Sequence, residues 1–149
     1  MPIRKGYAVW EGDLLSGKGT MKVGSGAFES PYTFATRFGD AAGTNPDELI
    51  ATAHAGCFSM ALAANLAKAG FTARKISTTA SLHVDKVDQG FKITRIDLAT
   101  EGDVPGIDNK KFLEEAESAK KNCPVSQALA AVEIKLSARL IGESASVSR

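Results

Sequence analysis

Residues 44–70, TNPDELIATAHAGCFSMALAANLAKAG, constrain this chain more than any other stretch. Asn45 is suited to cap a helix, and Pro46 stands at the first helical position, where its missing N–H costs nothing. Asp47 and Glu48 fall in the first turn, where the helix dipole favours carboxylates, and Glu48 has the capping-box spacing from Asn45. Gly70 is a natural left-handed stop. Between these signals Leu49, Ile50, Phe58, Met60, Leu62 and Leu66 interleave with alanines around nearly the whole circumference. A helix apolar on every side is expected to be buried, with the alanines letting other backbones come close. Cys57 sits near its middle.

The flanking segments read mostly as strands. Residues 3–11 and 18–24 form an expected hairpin with its loop around residues 14–17; the second run alternates Lys18, Thr20 and Lys22 against Gly19, Met21 and Val23. Residues 32–38, YTFATRF, alternate Tyr32, Phe34, Thr36 and Phe38 against Thr33, Ala35 and Arg37, which predicts a third strand with Arg37 on an otherwise small-residue face. After Gly70, residues 73–87 are rich in β-branched side chains, residues 88–90 make a turn, and residues 91–100 return. The inward set of that returning strand shifts from Phe91 and Ile93 to Ile96 and Leu98, which places a bulge near Thr94 or Arg95. Asp108 caps a second helix, NKKFLEEAESAKKN, whose thin stripe of Phe112, Leu113, Ala116 and Ala119 marks a surface helix. Pro124 starts a short helix with Cys123 at its edge, and residues 131–141 alternate as a last strand. These elements predict one α+β domain over residues 1–142, an antiparallel sheet wrapped on a buried central helix, followed by a disordered tail at 143–149.

Composition narrows the function. A net charge of +1 gives no electrostatic case for nucleic acid or an anionic membrane. Lys68 ends the longest apolar run before it is expected to span a bilayer, and the N-terminus lacks the apolar core of a signal peptide. The expectation is a cytoplasmic protein, where two cysteines serve catalysis, metal binding or packing rather than a permanent staple.

Cys57 and Cys123 are too far apart in sequence for a CxxC motif, but that leaves contact in the fold open. Peroxide reduction by a thiol needs a thiolate, a positive charge to lower its pKa, an apolar pocket for a greasy substrate and a second thiol to resolve the sulfenic acid. The two cysteines supply the thiols. Arg37 is the candidate cation, and Glu48 the candidate carboxylate to hold it by a bidentate pair. Against this, buried cysteine in an alanine-rich helix ordinarily serves packing, and Arg37 and Glu48 ordinarily lie on the surface.

The residues then carry a resemblance. TNPDELIATAHAGCFSMAL, followed much later by NCPVSQAL, resembles the two cysteine motifs of the OsmC/Ohr family of thiol-dependent hydroperoxide reductases. VDKVDQGFKITRIDL and VPGID are closer to the OsmC branch, and WEGD, GKGT and FATRF also fit. The resemblance runs from about residue 3 to about residue 140. It implies an OsmC-like fold and an intertwined homodimer in which strands of both subunits wrap two central helices, with active sites at the interface. By position it makes Cys57 the peroxidatic thiol and Cys123 the resolving thiol, with Arg37 and Glu48 as the family's arginine and glutamate. The implied reaction reduces organic hydroperoxides, and hydrogen peroxide less efficiently, with an external dithiol as reductant and without a cofactor. The alternative is a non-catalytic dimeric stress protein that binds an apolar ligand and whose cysteines are incidental.

Two geometric points bear on this. Glu48 and Cys57 are nine residues apart, about 900° on an ideal helix, and so on opposite faces. Either the helix breaks around residues 54–56, or Glu48 acts through the other subunit, or through a mobile Arg37. His54, Cys57, His83 and Cys123 have the composition of a structural zinc set, but their spacing matches no compact zinc motif, and no metal is expected. His54 is expected as a packed or hydrogen-bonding residue near the site, and His83 as an exposed strand residue.

Overall fold

The computed structural model describes residues 1–142, so the expected tail at 143–149 lies outside the described residues. The chain divides into two compact units, Met1–Leu49 and the remainder from Ile50 on.

The first unit is a three-stranded antiparallel sheet in the order β1 (Gly6–Glu11), β2 (Lys18–Val23), β3 (Glu29–Tyr32). The hairpin loop is closed by Asp13, whose Oδ1 accepts the N–H and hydroxyl of Ser16, and by the Trp10 indole N–H donating to the Gly12 and Asp13 carbonyls. The strand predicted over residues 32–38 is not formed. β3 ends at Tyr32 and a short helix, α1 (Phe34–Phe38), follows. The reason is local. Thr33 Oγ1 accepts the Thr36 N–H and Thr36 Oγ1 accepts the Thr33 N–H, a reciprocal capping box. Phe34 and Phe38, read as alternating strand residues, are also one helical turn apart, and their rings lie 5.0 Å from each other.

α2 (Pro46–Lys68) starts as expected, with Asn45 Oδ1 accepting the Glu48 N–H at 2.7 Å, and it runs without interruption through residues 54–56. Of the alternatives, a break at this point does not occur. Gly70, with φ +93°, follows the helix end and permits the turn into the next segment. Contrary to expectation, α2 is long and apolar enough, by length and composition alone, to cross a membrane. A core helix meets the same description, and the His54, Phe58, Leu62 and Leu66 stripe is buried against sheet and helix residues. The expected all-round burial is not seen within one chain, for Met60 is 76% exposed.

The second unit carries a sheet in the order β4 (Lys75–Val87), β5 (Gly90–Asp103), β6 (Glu133–Ile141). β4 and β5 pair antiparallel, but β6 runs parallel to β5, so this sheet is mixed rather than wholly antiparallel. The bulge falls where the inward pattern shifts: His83 pairs with Arg95 and Val84 with Ile93, leaving Thr94 as the extra residue. The passage from β5 to β6 is made by α3 (Asn109–Asn122) and α4 (Pro124–Ala128). Asp108 caps α3, its Oδ1 accepting the Lys111 N–H at 2.7 Å. Phe112, Ala116 and Ala119 are fully buried. They join Phe58, Leu62, Leu66, Ile96 and Leu98 in one core, where each large apolar side chain contributes about 1.5–3 kcal/mol. Hydroxyls near this core form a ladder: Ser59 donates to Thr78, Thr78 meets Thr100, and Thr100 donates to the Ser77 carbonyl.

Candidate active site

Two elements bring the cysteines together. Cys57 lies mid-way along α2, on the side that carries the buried His54 and Phe58. Cys123 ends α3 and caps α4, fully buried, with its Sγ 3.5 Å from the backbone N of Ser126. The sequence reason is the run CPVS: Pro124 stops α3 and starts α4, so the residue before it becomes a cap. The two Sγ atoms are 2.9 Å apart, and both cysteines are free thiols. That is within about 1 Å of a disulfide bond length, so only a small movement would be needed to form the bond once one sulfur is oxidised. Cys57 is half-buried and therefore reachable.

The two thiols titrate as a pair. Burial pushes Cys57 above its ordinary value, and the hydrogen bond and charge of Cys123 push the same way, while the Val125 N–H opposes them. Burial acts upward on Cys123 too and is the largest single influence. The hydrogen bond shared with Cys57, the N–H and hydroxyl of Ser126 and the N–H of Val125 together outweigh it, leaving Cys123 lowered. The first proton therefore leaves the pair more readily than from an isolated thiol, and the second less readily. An anion on Cys57 calls for a cation beside it.

His54, three residues before Cys57, is fully buried, with Nε2 2.7 Å from the Ser126 hydroxyl. Burial lowers its pKa and keeps the imidazole neutral. Its Nδ1 has no partner among the described residues. His83 lies elsewhere, half-exposed on β4, 2.8 Å from Asp97. Among the described residues no three His, Cys, Asp or Glu side chains stand close enough to hold a metal.

Arg37 is held in the first unit, but not by the carboxylate expected. Its Nε donates to Asp47 Oδ2 at 2.9 Å and its Nη2 to Asp47 Oδ1 at 3.1 Å, a bidentate pair. Glu48 Oε2 instead accepts the Thr44 hydroxyl at 3.2 Å. Two adjacent carboxylates open α2, and the motif resemblance pointed to the second. Helical placement turns the first toward Arg37. The guanidinium also stacks over the Phe38 ring, 5.0 Å from its centroid. Beside it lies a cleft of about 430 Å³, lined by Trp10, Leu14, Tyr32, Phe34 and Phe38 together with Arg37.

Comparison with known proteins decides the family. Residues 39–137 match the family model described as OsmC-like protein. The chain belongs to the OsmC family. The match to Peroxiredoxin OsmC of Escherichia coli is 54% identical over 138 residues, covering 92% of this chain and 96% of that protein. The Shigella flexneri protein of the same name matches equally. An organic hydroperoxide resistance protein OsmC from Legionella pneumophila superposes with a TM-score of 0.75 at 20% identity, over 95% of this chain and 100% of that one. The organic hydroperoxide resistance protein OhrB of Bacillus subtilis gives a TM-score of 0.66 at 26% identity, over 90% of this chain and 97% of that one. Within the OsmC/Ohr group of thiol-dependent hydroperoxide reductases, the chain falls in the OsmC branch.

Two residues in contact with the candidate site, Asp47 and Ser126, were not singled out from the sequence. The first was hidden by its neighbour Glu48. The second stands one helical turn after a recognised cysteine, and that spacing was the available signal.

Proposed function

We propose that this chain is a cysteine peroxidase that reduces organic hydroperoxides, and hydrogen peroxide less efficiently, in antioxidant defence. The Cys57–Cys123 contact of 2.9 Å carries the reading, because it makes one thiol the ready resolver of the other. In the proposed reaction the Cys57 thiolate attacks the O–O bond. The bond breaks, the alkoxide takes a proton and leaves as alcohol, and Cys57 becomes a sulfenic acid. Cys123 then displaces hydroxide to form the disulfide, and an external dithiol restores both thiols. Arg37 supplies the cation that the raised Cys57 needs, with Asp47 orienting it. Helix arithmetic supports Asp47 over Glu48: on an uninterrupted helix it lies about 80° from the Cys57 face, against about 180° for Glu48. The aromatic cleft beside Arg37 suits the alkyl group of the substrate.

The reading includes an intertwined homodimer acting as one OsmC-like domain per chain, in the cytoplasm. The apolar side of α2 left exposed in one chain is what a second copy would cover. Intact-mass measurement tests the chemistry. One equivalent of an alkyl hydroperoxide should remove two hydrogens per chain, reversibly with dithiol, and Cys57→Ser should abolish that loss. Thiols that keep their mass under peroxide would leave the non-catalytic ligand-binding reading.

A further inference from the structure

His54 and Ser126 tie together the same two helices that carry the sulfurs. His54 precedes Cys57 by three residues on α2, and Ser126 follows Cys123 by three on α4. The Sγ···Sγ contact of 2.9 Å and the Nε2···Oγ contact of 2.7 Å are thus two rungs, one helical turn apart. The second rung is sealed from solvent, His54 being 0% and Ser126 4% exposed. Ser126 also reaches the first rung, its backbone N–H donating to Cys123 Sγ at 3.5 Å. A histidine is a poor choice for packing here. Its Nδ1 is buried with no partner among the described residues, a cost that an apolar side chain of similar size would not carry. The residue's return must lie in what Nε2 holds.

We propose that His54 and Ser126 are positioning residues for the resolving step, fixing Cys123 Sγ against Cys57 so that the sulfenic acid closes before a second peroxide can reach it. This rests on Cys57 as peroxidatic and Cys123 as resolving thiol. In the step they serve, the Cys123 thiolate attacks the Cys57 sulfur. The S–S bond forms as the S–O bond breaks, and hydroxide leaves and is protonated to water. The hydroperoxide already consumed is the only oxidant. Loss of the brace lets α4 wander and lengthens the life of the sulfenic acid.

The test mixes reduced protein with an alkyl hydroperoxide in the presence of a 1,3-dione that captures sulfenic acid, and reads the ratio of captured Cys57 to disulfide by mass. In Ser126→Ala and His54→Ala the ratio should rise about tenfold, the effect of one buried hydrogen bond. The double variant should rise no further than the larger single, since one link is lost once. A purely structural role would lower the melting temperature without moving the ratio. Ser126→Ala removes a single oxygen and decides the matter even where His54→Ala does not fold. A wild-type ratio in folded Ser126→Ala, or single effects that multiply in the double variant, overturns the brace alone. A wild-type protein that gives neither adduct nor disulfide overturns the peroxidase reading itself.

Discussion

In the proposed reaction, the residue that separates a reactive Cys57 from an inert one is Arg37. Burial and the neighbouring thiol both raise Cys57, so its anion calls for a cation beside it. Arg37→Ala should therefore slow peroxide consumption by about a hundredfold or more and move the pH midpoint of Cys57 alkylation upward by about 1–3 units. The orienting carboxylate can be identified the same way. Asp47→Asn should cost more activity than Glu48→Gln, because Asp47 receives both the Nε and Nη2 hydrogens. Steady-state kinetics of the two variants checks this; the reverse order would restore Glu48. Cys57 and Cys123 were legible as candidate thiols from their helix contexts, and the motif resemblance gave them their order. The choice between two adjacent acids was not legible, because both stand in the first turn of α2 and only the pairing in space separates them.

At the scale of elements, the features legible in the sequence are those that local side-chain chemistry and a shift in alternation specify. The capped start of α2, the bulge at Thr94 and the Asp108 cap of α3 all follow from side-chain chemistry present in the sequence. The segment 33–38 failed because it is short and fits both periods. Two threonines three apart decide it, by bonding each other's backbone. The parallel pairing of β6 was equally hidden, since alternation fixes which face a strand buries but not its direction. The helical crossover between β5 and β6 makes that direction possible, and it packs tightly. A Cβ on Gly102 would lie 2.5 Å from Phe112 Cε1 and 2.7 Å from Cζ, and Phe112 is fully buried with no room to retreat. Gly102→Ala should lower unfolding free energy by about 1–3 kcal/mol in urea titration. An unchanged midpoint would mean that α3 can slide off the sheet at no cost.

For the whole molecule, α2 is the informative element because its composition exceeds what one chain covers. A helix apolar on all sides was expected to be buried, yet in a single chain one stripe is buried and Met60 stands exposed. Sequence patterning reports what an element needs, not which copy of the chain supplies it, and the dimer proposed above meets that need. Every proposed role converges on one activity, two thiols cycling between dithiol and disulfide at the expense of a hydroperoxide. The most direct measurement is dithiol-dependent turnover of an alkyl hydroperoxide beside hydrogen peroxide, with wild-type protein and Cys57→Ser. The account predicts catalytic consumption that requires the dithiol, favours the alkyl substrate and disappears in Cys57→Ser. Consumption no faster than the dithiol alone achieves, or equal in the serine variant, would contradict it.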